Sequence, residues 1–200
     1  MKSQPNQALP SLVMMVASGF YSIITHADDG FSMTGGLTSA YQVTSDSRIK
    51  PEFTTSVDLV LTYARSRGEW RLYAEGNSTP RTVGVSSVLP ETNTDAGSAL
   101  DRHHRGRLQV SELNYMHRFD AGMSITAGLM DVSGYFDQSR IASDENTQFL
   151  DVSFVQNPTI EFPDYALGLV YEQGLNANAV WRVGVTSSHG LANNPNLSYA

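Results

Sequence analysis

From residue 31 to residue 186 the chain repeats one pattern: apolar and polar residues alternate with a period of two. Phe31, Met33, Leu37, Tyr41 and Val43 share one parity, and Ser32, Thr34, Thr38 and Gln42 share the other. Phe53, Val57, Leu59, Leu61 and Tyr63 alternate with Thr54, Ser56, Asp58 and Thr62. Further runs pair Trp70, Leu72 and Ala74 against Glu69, Arg71, Tyr73 and Glu75, then Leu113, Tyr115 and Phe119 against Glu112, Asn114 and Arg118. Met123, Ile125 and Leu129 follow, then Leu167, Leu169 and Tyr171, then Trp181, Val183 and Val185. Successive side chains of a strand point to opposite faces, so each run builds a strand with one oily and one polar face. About seven strands are expected, and no sustained helical period follows residue 30.

Two architectures use such strands: a soluble antiparallel sandwich and a transmembrane barrel. Run length favours the barrel. The runs extend over about 9–13 residues, whereas ordinary strands average about 5–6 and a tilted membrane strand needs about 9–11. Aromatic residues mark the run ends (Phe31, Tyr41, Phe53, Tyr63, Trp70, Phe119, Tyr171), as amphipathic rings do at a membrane interface. The connections also alternate. Residues 44–52, 77–106 and 132–163 form longer loops, while Arg65–Gly68, Asp120–Gly122 and Gly174–Asn178 are short. A barrel with tight periplasmic turns and longer outer loops sorts its connections in this way. The expected fold is therefore all-β, a transmembrane antiparallel β-barrel. Because bacterial single-chain barrels are even-numbered and lipid tolerates no open sheet edge, seven strands suggest part of a larger barrel.

Composition agrees. Hydrophobic residues make up 40% of the chain, far below a helical membrane protein, because only one strand face would meet lipid. Acids outnumber Lys and Arg by 20 to 13, for a net charge of −7, which argues against nucleic acid as a partner. There is no cysteine, hence no disulfide, thiolate metal site or thiol nucleophile. The N-terminus reads as an export signal over residues 1–27: Lys2, an apolar stretch from Leu9 to Ile24, then Thr25-His26-Ala27 before Asp28-Asp29, with cleavage after Ala27. Residues 28–200 would then form the barrel domain.

The segment Gly128 to Glu172 resembles the carbohydrate-selective outer-membrane porins, the OprB-like family. The resemblance rests on Gly128-Leu129 leading to Asp131, on Tyr135-Phe136-Asp137, on Asp144 to Leu150, and on Phe154-Val155-Gln156-Asn157-Pro158 followed by Phe162-Pro163. It covers about a quarter of the chain. It implies a barrel of the 16-strand type in a chain roughly twice this length, passing carbohydrates or other small hydrophilic solutes across the outer membrane. A homotrimer is the assembly to test.

A channel of this kind selects by width and by the groups on its inner wall. The polar parity supplies Asp58, Glu69, Arg71, Tyr73, Glu75, Glu112, Arg118, Glu172 and Arg182 as expected pore-lining residues. These charges either order water and screen solutes or simply hydrate a wide lumen. The 132–163 loop is long and rich in aromatic residues. It is expected to fold inward as a constriction, with Asp137, Asp144, Glu145, Gln148 and Asn157 facing solutes, or else to pack on a neighbouring subunit. Arg102, Arg105 and Arg107 surround His103-His104, a setting suited to lipopolysaccharide phosphates rather than a metal. No catalytic residue, metal or cofactor is assigned. The competing functions are a barrel lipase or protease and a non-channel structural barrel. The enzyme would need a Ser–His pair, drawing on His103, His104, His117 or His189, and no G-x-S-x-G elbow is present.

Overall fold

The computed structural model describes residues 30–89, 93, 108–139, 141, 160, 162–163, 165–188 and 190, with the backbone of two short runs nearer the N-terminus. The chain forms strands β1 (Leu12–Val16), β2 (Thr25–His26), β3 (Phe31–Thr44), β4 (Glu52–Arg65), β5 (Gly68–Asn77), β6 (Leu108–Arg118), β7 (Met123–Met130), β8 (Ala166–Asn176) and β9 (Ala179–Thr186). All pair antiparallel in one sheet, in the order β1-β3-β4-β5-β6-β7-β8-β9, with β2 also against β3. The body is a seven-strand meander, β3 to β9, in which each strand lies beside its sequence neighbours. The sheet is open: it is not closed into a barrel. Residues 1–27, expected as an export signal, lie outside the described residues except for the backbone of β1 and β2.

Strands form because the alternating segments are rich in Val, Thr, Leu and aromatic residues, which suit a pleated, half-buried surface. Two of the short turns use left-handed residues. Ser66 has φ 53° between β4 and β5, and Ala121 (φ 61°) and Gly122 (φ 72°) turn β6 into β7. The three short turns lie at one end of the sheet, and the three longer connections leave from the other.

Register fixes the two faces. The pairs Gly36↔Asp58, Asp58↔Glu75 and Thr62↔Arg71 carry the polar parity across β3 to β5. Arg118↔Ser124, Ser124↔Glu172 and Glu172↔Arg182 carry it across β6 to β9. A bulge adjusts the middle. Tyr73 pairs with Glu112 but Ala74 pairs with Val110, so Ser111 is the extra residue. Ser111 and Glu112 both face the polar side, and Leu108 and Val110 return to the apolar side occupied by Leu113 and Tyr115. The run read from sequence begins at Leu113, because the bulge breaks the parity just before it.

The sheet is inverted relative to a water-soluble fold. Leu129 apart, every buried strand residue lies on the polar face, including Gln42, Glu52, Ser111 and Thr126, each 2% exposed or less. On the apolar face, Phe53, Trp70, Trp181 and Val185 are each more than half exposed. Two segments cover the polar face. Residues 81–89, with one helical turn at Val85–Val88, lie over β3 and β4, and residues 131–139, with a turn at Ser133–Phe136, lie over β7 to β9. Beneath the second, Met130, Val132 and Val170 form a small apolar cluster with Tyr135 and Phe162.

Gly128 sits where the backbones of β6 and β7 leave no room for a side chain. Its φ is +141°, and a Cβ there would sit 2.4 Å from the Leu113 carbonyl oxygen. Gly128→Ala should therefore cost about 1–3 kcal/mol. Gly134→Ala, where the nearest atom would be 4.0 Å away, should cost nothing measurable. Chemical unfolding of the two variants in detergent checks the contrast.

Candidate functional site

All nine residues expected to line a pore share the polar face, and cross-strand partners organise them. Arg118 Nη2 meets Glu69 Oε2 at 2.6 Å, Arg71 Nε meets Glu112 Oε2 at 3.1 Å, and Arg182 Nε meets Glu172 Oε1 at 2.6 Å. Each arginine on this face is thus tied to an acid of the adjacent strand. Tyr73, the aromatic residue on the polar parity, donates from Oη to Asp58 Oδ1 at 2.8 Å. Its ring meets Tyr165 edge-on with centroids 6.2 Å apart. Glu75 accepts from the Ser111 hydroxyl, and Gln109 Nε2 donates to both Ser111 Oγ (2.8 Å) and Glu75 Oε2 (3.3 Å). Asn114 Nδ2 bridges Glu112 Oε2 at 3.1 Å and the Leu129 carbonyl at 3.3 Å.

The result is a hydrogen-bonded lattice that runs from β4 to β7 and resumes between β8 and β9, with Glu69, Arg71, Tyr73 and Glu75 as the β5 side chains on this face. Such a surface offers donors and acceptors at short intervals to water or to a hydroxylated solute.

The segment after β7 sits on this lattice. Arg182 Nη1 donates to the Tyr135 carbonyl at 3.3 Å, and Phe136 lies on Gly184, where an added Cβ would come within 3.0 Å of the ring. Asp131 opens the segment just ahead of its helical turn, accepting the Ser133 N–H at 2.8 Å and the Ser133 hydroxyl at 2.7 Å. Burial pushes the Asp131 carboxyl above the usual carboxylate range, against the opposing effect of the Ser133 hydrogen bonds. Burial likewise raises the Tyr135 phenol. At the exposed β3–β4 connection, the Arg48 guanidinium holds Asp46 down at about 2.

Asp137, one of the expected constriction residues, follows the Ser133–Phe136 turn, and its N–H donates to the Ser133 carbonyl at 2.7 Å. Asp144, Glu145, Gln148 and Asn157 lie outside the described residues, as do Arg102, His103, His104, Arg105, Arg107 and His189. His117 stands on the apolar face, with its Nδ1 3.3 Å from Tyr115 Oη and its ring 4.6 Å from that of Phe119.

Sequence reasoning missed Gln42, Glu52, Ser86 and Asn93, which form a second polar cluster under residues 81–89. Glu52 opens β4 on the polar parity, and Pro51 just before it hid the strand start. It also missed Ser111, displaced by the bulge.

The apolar face carries a matching order. Phe31 pairs with Tyr63, Tyr63 with Trp70, and Trp70 with Tyr115, giving an aromatic row across four strands near the short-turn end. Trp70 and Tyr115 have ring centroids 4.9 Å apart, and Tyr171 and Trp181 continue the band 5.7 Å from each other. Ten residues along β3 and β4, Tyr41 pairs with Phe53 near the other end.

No protein-family model matches the chain, and no solved structure matches it. An uncharacterized protein of Aquifex aeolicus (strain VF5) is 30% identical over 109 residues, covering 52% of this chain and 33% of its own length. The chain thus spans about a third of the length of that relative.

Asp131→Asn keeps an acceptor for Ser133 and removes the buried charge. The folded Asp131 carboxyl binds its proton more tightly than the unfolded one, so wild-type stability falls as pH rises from the unfolded value of 3.8 through the raised folded value. The variant lacks this fall. It should be more stable than wild type at neutral pH, with the advantage shrinking toward pH ~4, as read by urea unfolding across pH.

Proposed function

We propose that the chain forms part of the wall of a transmembrane β-barrel in a bacterial outer membrane, and that the barrel is a passive channel for small hydrophilic solutes, carbohydrates among them. The observation that carries this is the inverted sheet: an exposed apolar face opposite a buried, hydrogen-bonded polar face. Hydrocarbon is the solvent that suits the first, and a water-filled lumen suits the second.

The aromatic rows give the reading a dimension. Ten residues separate Phe31 from Tyr41 and Tyr63 from Phe53. At ~3.3 Å per residue that is ~33 Å of strand, and a tilt of ~40° leaves ~25 Å along the normal, the height of the apolar band of an outer-membrane barrel. The sorting of short turns to one end and longer connections to the other fits periplasmic and outer sides. His117 within the aromatic band would face lipid, which takes it out of the Ser–His pair that a hydrolase would need.

In this reading the edges of β3 and β9 pair with further strands in a closed barrel of the 16-strand porin type. Removal of residues 1–27 during export would free the β3 edge for that pairing. Lipid and lipopolysaccharide surround the barrel, and a homotrimer is the assembly proposed.

Two measurements test the proposal. The complete barrel in planar bilayers should give discrete, ohmic conductance steps; esterase or protease turnover without conductance would replace the channel with the enzyme. Arginine introduced singly at Leu59, Leu61, Leu169 or Val183 should cost about 2–4 kcal/mol where the site lies near the membrane midplane, and arginine at Ser56 or Thr186 much less. Equal costs on both faces would remove the lipid from the reading.

A further inference from the structure

Residues 81–88 have a fastening of their own. Glu52, the first residue of β4, is 2% exposed and pairs with Gln42 on the polar face. Its Oε1 accepts the Arg81 N–H at 2.5 Å and its Oε2 accepts the Ser86 N–H at 2.7 Å. One buried carboxylate thus gathers two backbone amides from a single connecting segment, in the charge-assisted bonds that are the stronger kind. Around it, the Lys50 N–H donates to the Val83 carbonyl at 2.8 Å, and Arg81 Nη1 donates to the Pro51 carbonyl at 2.8 Å. The Ser86 hydroxyl and Asn93 Nδ2 each donate to Gln42 Oε1 at 3.3 Å, and Asn93 Nδ2 also reaches Thr54 Oγ1 at 3.2 Å. Val85 and Ser86 are fully buried.

The backbone is shaped for this contact. Gly84 lies so close that a Cβ would come 2.8 Å from both the Arg81 carbonyl oxygen and the Glu52 carboxyl carbon. Val83 holds φ 58°, a region that β-branched residues rarely enter. A connection that merely joined β5 to β6 through solvent would need neither feature.

We propose that Arg81–Val88 is a strap that narrows the solute path from the β3–β4 side, and that Glu52 is the residue that positions it. The strap lies on the same face and at the same sheet end as residues 131–139, which cover β7 to β9. Solutes would pass between two inward segments, not beneath one. The narrowing role rests on the channel reading above; the anchoring role of Glu52 does not.

The chain has no cysteine, so a single introduced thiol reports accessibility cleanly. In Ser86→Cys protein, a membrane-impermeant maleimide should react slowly. Adding Glu52→Ala should speed the reaction at least about tenfold, as expected when two buried amides lose a charged acceptor. Gly84→Leu, which leaves Glu52 in place but blocks the seat, should have the same effect. Both substitutions should raise single-channel conductance in otherwise wild-type protein that keeps its heat-modifiable migration on gels. Unchanged labelling in both variants would overturn the anchor. Faster labelling with unchanged conductance would overturn the narrowing while leaving the channel intact. Faster labelling in a protein that never conducts would uphold the anchor and sink the channel reading on which the narrowing rests.

Discussion

A sheet must bury one face or the other, and the rest of this structure follows from which face it leaves bare. Along β3 to β9 the uncovered face is a continuous surface of Leu, Val, Phe, Tyr and Trp side chains. At about 25 cal/mol per Å² of apolar surface, such a face in water would cost more than the marginal stability of an ordinary domain. Exposed apolar patches of this extent mark an interaction surface. The connecting segments cover the opposite side, where most of the buried strand residues are Gln, Glu, Thr, Ser and Asn, with Met130 and Val170 in a small apolar cluster among them. These segments fold onto polar residues because backbone groups find partners there: the Arg81 and Ser86 amides donate to Glu52, and the Tyr135 carbonyl accepts from Arg182.

Much of this was legible in the sequence because the side-chain period of a strand is a geometric fact. Asp58, Arg71, Glu172 and Arg182 fall on one face by parity alone, and the register keeps them there across every strand boundary. The turns were legible too: Arg65–Gly68 and Asp120–Gly122 combine small and polar residues where the chain must reverse. What escaped was whatever depends on more than parity. The bulge at Ser111 shifts the pattern by one residue, so Leu108 and Val110 looked out of phase with Leu113. Glu52 looked like a loop residue beside Pro51, and its role exists only once residues 81–86 return to it. Val60 and Val170 sit on the polar face despite their chemistry. Val170 does so beneath Phe162 and Tyr135, a tertiary cover that no local pattern announces.

The polar face is an ordered lattice more than a wet surface. Each of its arginines engages a carboxylate on the next strand, and Asp58, Glu75 and Glu52 engage a phenol, a serine hydroxyl and backbone amides respectively. Cross-strand pairs of this kind stabilise a sheet much as neighbouring pairs stabilise a helix surface. Their distribution is uneven. The ion pairs lie on β5, β6, β8 and β9, while Glu52, Asp58 and Glu75, on β4 and β5, accept from backbone amides, a phenol and a serine hydroxyl.

The ion pairs and the bulge also act together as a gauge. A slip of one residue between strands would turn apolar residues toward the polar side, which the two faces already forbid. A slip of two residues would preserve both faces, and polarity alone would not resist it. It would, however, draw Arg182 away from Glu172, pull Arg118 off Glu69 and misplace the extra residue opposite Tyr73 and Ala74. These contacts therefore specify stagger where polarity cannot. In a closed sheet the accumulated stagger and the strand number together fix the radius. Three arginines and one extra serine in a wall would in that way help decide how wide its opening is.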